Sequence, residues 1–282
     1  MTRRVRLSRK LVGALGWAAA GLCFAGLAFG LLDIIWMVLR KGGASIEPST
    51  FTTSTNGVSG GLWNAIEGTL VLTLGSVLFA GPIGMLVGIY LSEYAGRNFA
   101  KVVRYLSDVL VGVPSIVLGL FGYITMVLLL GWHFSVLAGA ITLSIMITPY
   151  IARTTEIALR QVPVSYRESA YALGANDVSV IFKVVVPACG RRILTGVLLA
   201  LAISMGETAP LIYTVDWSNY PWNGKLTNEP MGYLTYVIWS FINEPFESAH
   251  KLAFAAALLV TVFALTITLV ARLVLSRFRR LD

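Results

Sequence analysis

Long, nearly uncharged apolar blocks alternate with short polar or basic segments along the chain. A transmembrane helix needs about 20 largely apolar residues, and six blocks reach that length. The predicted membrane spans are residues 11–39, 62–90, 109–130, 134–157, 193–213 and 252–275. The pattern therefore predicts an all-α integral membrane protein with six transmembrane helices.

The composition supports this fold class. Of 282 residues, 56% are hydrophobic and only 13% are charged, and the mean hydropathy is +0.76. These values are far too apolar for a soluble domain. The first apolar block is also too long for a secretory signal peptide, so we expect it to be an uncleaved span.

The basic residues predict the orientation of the chain in the membrane. Lysine and arginine are enriched in cytoplasmic loops of membrane proteins. The predicted topology places 18 of the 22 basic residues inside, and those outside are Arg40, Lys41, Lys225 and Lys251. We therefore expect both termini to be cytoplasmic. The dispersed basic residues do not form the single face of a nucleic-acid-binding protein.

These assignments divide the chain into four parts. A basic cytoplasmic N-terminus (1–10) precedes the first span (11–39), and a Gly-, Ser- and Thr-rich exterior loop (40–61) follows it. The remaining residues, 62–282, form a core with five spans, a cytoplasmic loop, an exterior segment and a basic cytoplasmic C-terminus. The cytoplasmic loop covers 163–187 and the exterior segment covers 214–251.

The sequence of the cytoplasmic loop predicts two short helices that are joined by a bend at a glycine. Ser165 and Glu168 have the spacing of a capping box, so the first helix is expected to begin at Tyr166. Gly174 can end that helix by adopting a left-handed conformation.

The second short helix is predicted at residues 178–186. Asp177 precedes it and can cap its first turn. Its apolar residues recur at helical spacing, and Pro187 is expected to stop it.

Four residues of this loop resemble a known motif. Glu168, Ala170, Gly174 and Pro187 match the glutamate, second alanine, glycine and proline in the "EAA" loop of ABC importer permeases. Ser169 replaces the first alanine. The resemblance implies that the loop is a coupling helix that docks into a cytoplasmic ATPase. The residues expected to serve this coupling are Arg167, Glu168, Ala170, Gly174 and Pro187.

Further motifs resemble the phosphate ABC importer permeases of the PstA type. The matching segments are residues 90–94, 112–117, 119–122, 172–175 and 206–211. The resemblance implies the MetI-like fold of type I ABC importer permeases. It also implies phosphate as substrate, a heterodimer with a PstC-type permease, a PstB-type ATPase dimer and an extracytoplasmic phosphate-binding protein. A place in the plasma membrane of a prokaryote is implied as well.

The fifth predicted span contains a stripe of small residues at intervals of four. The stripe consists of Gly196, Ala200, Ser204 and Thr208. Small residues allow transmembrane helices to approach closely, so a packing face is the commoner interpretation.

An ionisable residue lies beside this stripe. Glu207 falls within a predicted span, where a charged group is costly and suggests a functional role. Pro210 cannot donate a hydrogen bond to the carbonyl of Gly206, so a kink is expected that exposes polar backbone. Thr208 could instead satisfy that break with its hydroxyl group.

The source of a positive charge for an anion pathway stays open. Many PstA-type permeases carry an arginine four residues before this glutamate, whereas this chain has Ile203. The partner permease, Arg153 or free backbone N–H groups could replace it. Of these, the partner permease is the favoured source of the positive charge. Ser115 either lines an inner gate or only begins a helix after Pro114. The candidate pathway residues are Ser115, Arg153, Ser204, Glu207 and Thr208.

Rival functions remain. No Gly-x-x-x-x-Gly-Lys-Ser/Thr loop occurs, so the chain is expected to be a translocation subunit and not an enzyme that hydrolyses ATP. Cys23, Cys189 and His133 match no metal-ligand spacing, and no cofactor is expected. An importer for a phosphonate, sulfate or molybdate is an alternative, and a channel or a membrane-embedded enzyme is less favoured.

Overall fold

The structure is a computed structural model that describes residues 2–276, with side chains described for residues 12–273. The basic side chains predicted at positions 3–10, and the basic residues predicted at 277–280, lie outside this part of the chain. The described residues are helical apart from loops and one small hairpin, which confirms the predicted fold class.

The helices are named in chain order. They are α1 (Thr2–Met37), α2 (Gly43–Ser45), α3 (Pro48–Thr52), α4 (Trp63–Glu93), α5 (Arg97–Gly112), α6 (Ser115–Gly122), α7 (Val136–Arg160), α8 (Val164–Ala172), α9 (Asp177–Ser179), α10 (Val186–Met205), α11 (Ala209–Thr214), α12 (Leu234–Phe241) and α13 (Glu247–Ser276). Three π-helical segments, Val38–Gly42, Tyr123–Leu129 and Val180–Val185, continue neighbouring α-helices. Strands β1 (Thr55–Asn56) and β2 (Ser59–Gly60) pair antiparallel.

Within the described residues, five helical stretches are long and apolar enough to cross a membrane. They are Val12–Ser45, Trp63–Glu93, Val136–Arg160, Asp177–Met205 and Glu247–Leu273. A sixth span results if α5 and the helix Ser115–Leu129 are counted together, although they are bent by 94°. The six predicted spans therefore all correspond to helices.

The third predicted span, 109–130, is wrong at its inner end. Its helix begins at Ser115, and residues 109–112 belong to α5. The physical reason is Pro114, because the residue before a proline is pushed out of the helical region. Val113 accordingly has an extended backbone, with φ −68° and ψ 128°.

Other boundaries also differ from the prediction. The first span continues to Ser45, so the predicted loop 40–61 begins helical and then contains α3 and the hairpin. The last span begins at Glu247, five residues before the predicted start. The exterior segment 214–251 contains an unpredicted helix, α12.

The centre of the bundle is formed by α4, α7 and α10. Four fully buried apolar side chains meet there, Ala80, Ile147, Ile151 and Ala200. By contrast, the described side chains of α1 are mostly exposed, and Trp17 is 83% exposed. The bundle core thus forms without α1, whose apolar surface is left for lipid or another subunit.

The segment after α11 folds back over the N-terminal end of α4 and packs against α12. The Asn64 amide of α4 donates to the carbonyl of Ser218 at 2.8 Å, and the Trp222 backbone N–H donates to Glu67 at 3.1 Å. Trp217 stacks on Tyr236 of α12, with ring centroids 4.9 Å apart. This segment is therefore packed structure and not a loose loop.

Candidate translocation and coupling sites

The helix containing the small-residue stripe is broken next to Glu207. Helix α10 ends at Met205, and α11 begins at Ala209 with Pro210 in its first turn. A proline is tolerated there because a first-turn N–H has no partner within the helix. The predicted break is confirmed, and the predicted start of this span at residue 193 is wrong. The helix starts earlier, at Asp177, and does not continue through 206–208.

Glu207 is held at this break by three contacts. Its backbone N–H donates to the carbonyl of Ser204 at 3.3 Å, and its carbonyl accepts from the Thr235 hydroxyl at 2.7 Å. Its carboxylate is hydrogen-bonded to the side chain of Ser115. Two candidate pathway residues, Ser115 and Glu207, therefore lie in direct contact.

Close packing of α6 on α11 produces this contact. Gly119 of α6 lies against Pro210, and a Cβ atom at Gly119 would come within 2.6 Å of the Pro210 Cα atom. A side chain at this position would therefore separate the helices. Ser115, one turn earlier on α6, is thereby placed beside Glu207.

The Thr208 hydroxyl does not satisfy the backbone at the helix break, which was the alternative role predicted for it. Thr208 precedes α11 but makes no side-chain capping hydrogen bond. It is half-buried, and the three contacts at Glu207 involve other side chains. Thr208 as a pathway residue stays a prediction.

The stripe forms a packing face through its first three residues. Ala200 and Ser204 are each 1% exposed, and a Cβ atom at Gly196 would lie 2.7 Å from the Thr154 Cβ atom of α7. The Ser204 hydroxyl donates to the carbonyl of Leu201 at 2.9 Å. The structure therefore gives Ser204 a place in helix packing, and Thr208 falls beyond the end of α10.

Arg153 belongs to a different cluster, centred on Glu156. The Glu156 side chain is 1% exposed, and its Oε1 atom accepts from Arg104 of α5, with Nε at 2.8 Å and Nη2 at 2.6 Å. Arg160 Nη2 lies 2.9 Å from the same oxygen, and Arg153 Nη1 lies 3.6 Å from Oε2. The structure therefore does not bring Arg153 together with Glu207.

Sequence reasoning missed Glu156 as the centre of this cluster. A buried carboxylate requires compensating charge or hydrogen bonds. The available signal was the spacing of Arg153, Glu156 and Arg160, since residues three and four apart share a helix face. The contribution of Arg104, 52 positions earlier, had no local signal.

The first helix of the cytoplasmic loop starts earlier than predicted. Helix α8 begins at Val164 after Pro163, and no side-chain capping bond is present, so the predicted Ser165–Glu168 capping box is wrong. Pro163 restricts its own φ to −55° and stands in an extended conformation, which defines the helix start without a polar cap. Glu168 is consequently left exposed on α8.

The turn after α8 forms at the predicted glycine. Gly174 has φ +80°, a conformation that glycine adopts at little cost. The next helix is capped by Asn176, whose side chain accepts from the Ser179 N–H at 2.9 Å, so the predicted cap at Asp177 is wrong. Asp177 instead accepts from the Tyr171 hydroxyl at 3.1 Å, a hydrogen bond that raises the pKa of Tyr171.

Pro187 does not end the second helix. The chain is helical from Asp177 to Met205, with Pro187 in the first turn of α10, directly after a π-helical segment. The Val186 N–H donates to the carbonyl of Ile181, five residues back. The loop 163–187 therefore consists of one short helix, α8, and the N-terminal part of the long helical stretch Asp177–Met205.

Two of the predicted coupling residues attach α8 to the bundle. Ala170 is buried among apolar side chains of α7 and of the 177–205 helix, including Leu159 and Val185. Arg167 binds both oxygens of Glu93, at the end of α4, at 2.9 and 3.1 Å. It also donates to the carbonyls of Leu159 and Val162 at 3.1 and 3.0 Å.

Comparison with known proteins shows the family. Residues 80–280 match the family described as "Binding-protein-dependent transport system inner membrane component". The chain is 46% identical over 282 residues to "Phosphate transport system permease protein PstA 2" of Mycobacterium tuberculosis, covering 98% of this chain and 93% of that protein. It is 40% identical to the protein named PstA of Yersinia pestis, over 91% of this chain and 88% of that protein.

A solved structure confirms the predicted type of fold. The chain superposes on an inward-facing structure of the MetNI methionine ABC transporter with a TM-score of 0.58, covering 76% of this chain and 92% of that chain. The sequences are 18% identical in this comparison, which shows a shared fold. Together with the sequence matches, this places the chain in the family of inner membrane components of binding-protein-dependent transport systems, among its PstA-type permeases.

Proposed function

We propose that this chain is a permease subunit of an ATP-driven importer of inorganic phosphate and forms half of the translocation pathway. The observation that carries the proposal is the 46% identity, over nearly the whole chain, to a protein named as a phosphate transport system permease. The helix break at residues 206–208 supports a transport role, because broken helices in membranes place polar groups toward a protein-lined cavity.

The proposed pathway runs past the Ser115–Glu207 pair. Both residues lie where one helix starts and another has ended, so backbone polar groups as well as side chains are available to a passing anion. Ile203 is 38% exposed and supplies no charge. A cationic side chain from a second permease subunit is therefore part of the proposal.

The proposed coupling element is α8. It presents Glu168 on its exposed side, while Ala170 and Arg167 fasten its other side to the bundle. A cytoplasmic ATPase that contacts α8 would thus act on α4, α7 and the 177–205 helix together. This arrangement requires α8 and both termini to be cytoplasmic, which the distribution of basic residues supports.

The proposed assembly contains a PstC-type permease, two copies of a PstB-type ATPase and an extracytoplasmic phosphate-binding protein. The exposed apolar side chains of α1 support a partner within the membrane. An importer for another oxyanion is the second candidate, because this chain lacks the arginine that many PstA-type permeases carry at the position of Ile203.

Uptake by the complete assembly in vesicles tests the proposal. We expect ATP-dependent accumulation of radiolabelled phosphate that requires the binding protein and is not reduced by excess sulfate. Accumulation of sulfate, molybdate or a phosphonate in place of phosphate would contradict the substrate assignment. Uptake that continued without the ATPase would contradict ATP-driven import.

A further inference from the structure

A cavity between α4, α5 and α7 has a largely apolar wall that also contains charged side chains. Its volume is about 170 Å³, several times the ~30 Å³ that a water molecule occupies in the liquid. Two guanidinium groups and two carboxylates line it, those of Arg104, Arg153, Asp108 and Glu156. The cavity therefore presents both hydrogen-bond donors and acceptors to a small ion.

One buried oxygen of Glu156, a residue of this wall, lacks a hydrogen-bond partner within the described residues. Glu156 is 1% exposed, and its Oε1 atom receives Arg104 and Arg160, but its Oε2 atom makes no hydrogen bond within the described residues. Arg153 Nη1 stands 3.6 Å from Oε2, too far for a hydrogen bond. A buried acceptor without a donor costs free energy, so a ligand that donates a hydrogen bond would be stabilised there.

The guanidinium groups in the wall favour an anion as the ligand of this cavity. Arg153 is 53% exposed, and among the described residues its charged partner is Glu156 at 3.6 Å, which leaves donors available. The lining charges balance, Arg104 and Arg153 against Asp108 and Glu156, and Arg160, which does not line the cavity, adds a positive charge through its contact with Glu156. Arginine recognises oxyanions through paired N–H groups.

We propose that this cavity binds inorganic phosphate on the cytoplasmic side, as an exit site of the pathway. Phosphate near neutral pH is an anion that still carries at least one P–OH group. That group can donate to Glu156 Oε2 while the other oxygens accept from Arg153 and Arg104. Sulfate has no proton to donate at this pH, so the carboxylate repels it.

The inference deepens the proposed function and rests on it, since it locates an inner phosphate site and gives a physical reason for selectivity against sulfate. The site differs from the Ser115–Glu207 pair. The cavity is formed by α4, α5 and α7, whereas that pair belongs to α6 and the break before α11.

Protection of an introduced cysteine tests the inference in the complete assembly, reconstituted in phosphatidylcholine nanodiscs. Cys23→Ser and Cys189→Ala remove the native cysteines of this chain, and Ser107→Cys places a thiol in the cavity wall. The rate of maleimide labelling at position 107 is measured by mass spectrometry. Asn98→Cys, exposed on α5 outside the cavity, is the matched control.

We expect inorganic phosphate to slow labelling at position 107, sulfate at equal ionic strength to have little effect, and neither to affect position 98. Arg153→Gln should raise the phosphate concentration that half-protects position 107 about tenfold. This is the effect of losing one charge-assisted hydrogen bond. Arg97→Gln, an exposed change on α5 outside the cavity, should leave this concentration unchanged.

Three results would overturn the inference. They are equal protection by phosphate and sulfate, no protection by phosphate, and protection only after phosphatidic acid is added, which would indicate a lipid headgroup. If phosphate uptake is intact in the same preparation, the site is wrong and the proposed function stands. If the assembly carries sulfate and not phosphate, the proposed function itself fails.

Discussion

Two buried or half-buried carboxylates, Glu156 and Glu207, have different surroundings. Glu156 is surrounded by three arginines and joins α5 to α7. Glu207 has a serine as its side-chain partner and lies at a helix break. At the scale of the residue, one carboxylate is neutralised by arginines at the proposed inner phosphate site, and the other lies, without an arginine among its described partners, at a helix break on the proposed pathway.

Glu156→Gln is expected to destabilise the bundle. The amide keeps the shape of the side chain but leaves Arg104, which is 24% exposed, without its counterion. Removing one partner of a buried ion pair costs about 3–5 kcal/mol, and partial exposure of the arginines reduces this to about 2 kcal/mol. Thermal unfolding of the detergent-solubilised protein measures the change. Glu247→Gln, in an exposed pair with Lys251, is the control and should change little.

Glu207→Gln is expected to impair uptake while assembly survives. Glutamine can still accept a hydrogen bond from Ser115, so the helix break is retained, but the negative charge is lost. We expect about tenfold slower phosphate uptake, the size of one charge-assisted contact. Glu67→Gln is the matched control, because that carboxylate only accepts the Trp222 N–H at the outer end of α4. Uptake unchanged by Glu207→Gln would assign this residue to packing.

At the scale of the element, α8 is fastened through one face and exposed on the other. Arg167 connects it to α4 through Glu93 and to the end of α7 through two carbonyls. Glu168 points away from these contacts and is exposed. Substitutions of Arg167 and Glu168 should therefore impair transport for different reasons. The first should loosen the attachment of α8 to the bundle, and the second should weaken its contact with the ATPase.

Arg167→Lys is expected to loosen α8 without removing its charge. Lysine cannot bind both oxygens of Glu93 and two carbonyls at once, because it lacks the planar fork of a guanidinium group. ATP hydrolysis by the assembly should continue while phosphate uptake per ATP falls. Hydrogen exchange at residues 164–172 should become faster. Unchanged exchange there would show that Arg167 does not hold the helix.

Glu168→Lys is expected to uncouple ATP hydrolysis from uptake and leave the fold intact. The side chain is exposed, so the predicted effect comes from an unfavourable charge at the ATPase contact. Co-purification of the ATPase with the permease measures this contact directly. Glu244→Lys, the same change of charge in the turn between α12 and α13, should have no effect on it. Retained co-purification and coupled uptake would reject a docking role.

At the scale of the whole molecule, the orientation in the membrane can be tested with two exposed positions. Glu168→Cys on α8 and Tyr220→Cys, whose side chain is 79% exposed after α11, lie in the predicted cytoplasmic loop and exterior segment. We expect a membrane-impermeant maleimide to label position 220 in right-side-out vesicles and position 168 only in inverted ones. The reverse pattern would contradict the proposed topology.

The number and order of the spans were predictable from sequence, because hydrophobic length is a strong local signal. Their ends were less predictable. Pro187 looks like a helix end, yet in a membrane protein a π-helical segment and neighbouring helices accommodate it. The bend of 94° before Ser115 has the local signal of Pro114, but its size depends on packing against other helices.

The candidate site was predictable in part. Glu207 and the break beside it follow from an ionisable residue and a proline within an apolar block. Its contact with Ser115 and the burial of Glu156 depend on residues far apart in the chain, for which one sequence contains no signal. The same limit explains why Arg167 was expected at a partner surface and is found bonded to Glu93.

The short distance along the chain between Arg104 and Ser115 links the two carboxylates energetically. Arg104 contacts Glu156, and Ser115 contacts Glu207, with the bend between α5 and α6 separating them. Only ten residues separate these two partners, so displacing either carboxylate is expected to shift a partner of the other through the backbone. A double-mutant cycle of Glu156→Gln and Glu207→Gln should therefore be non-additive, although the two glutamates have no direct contact.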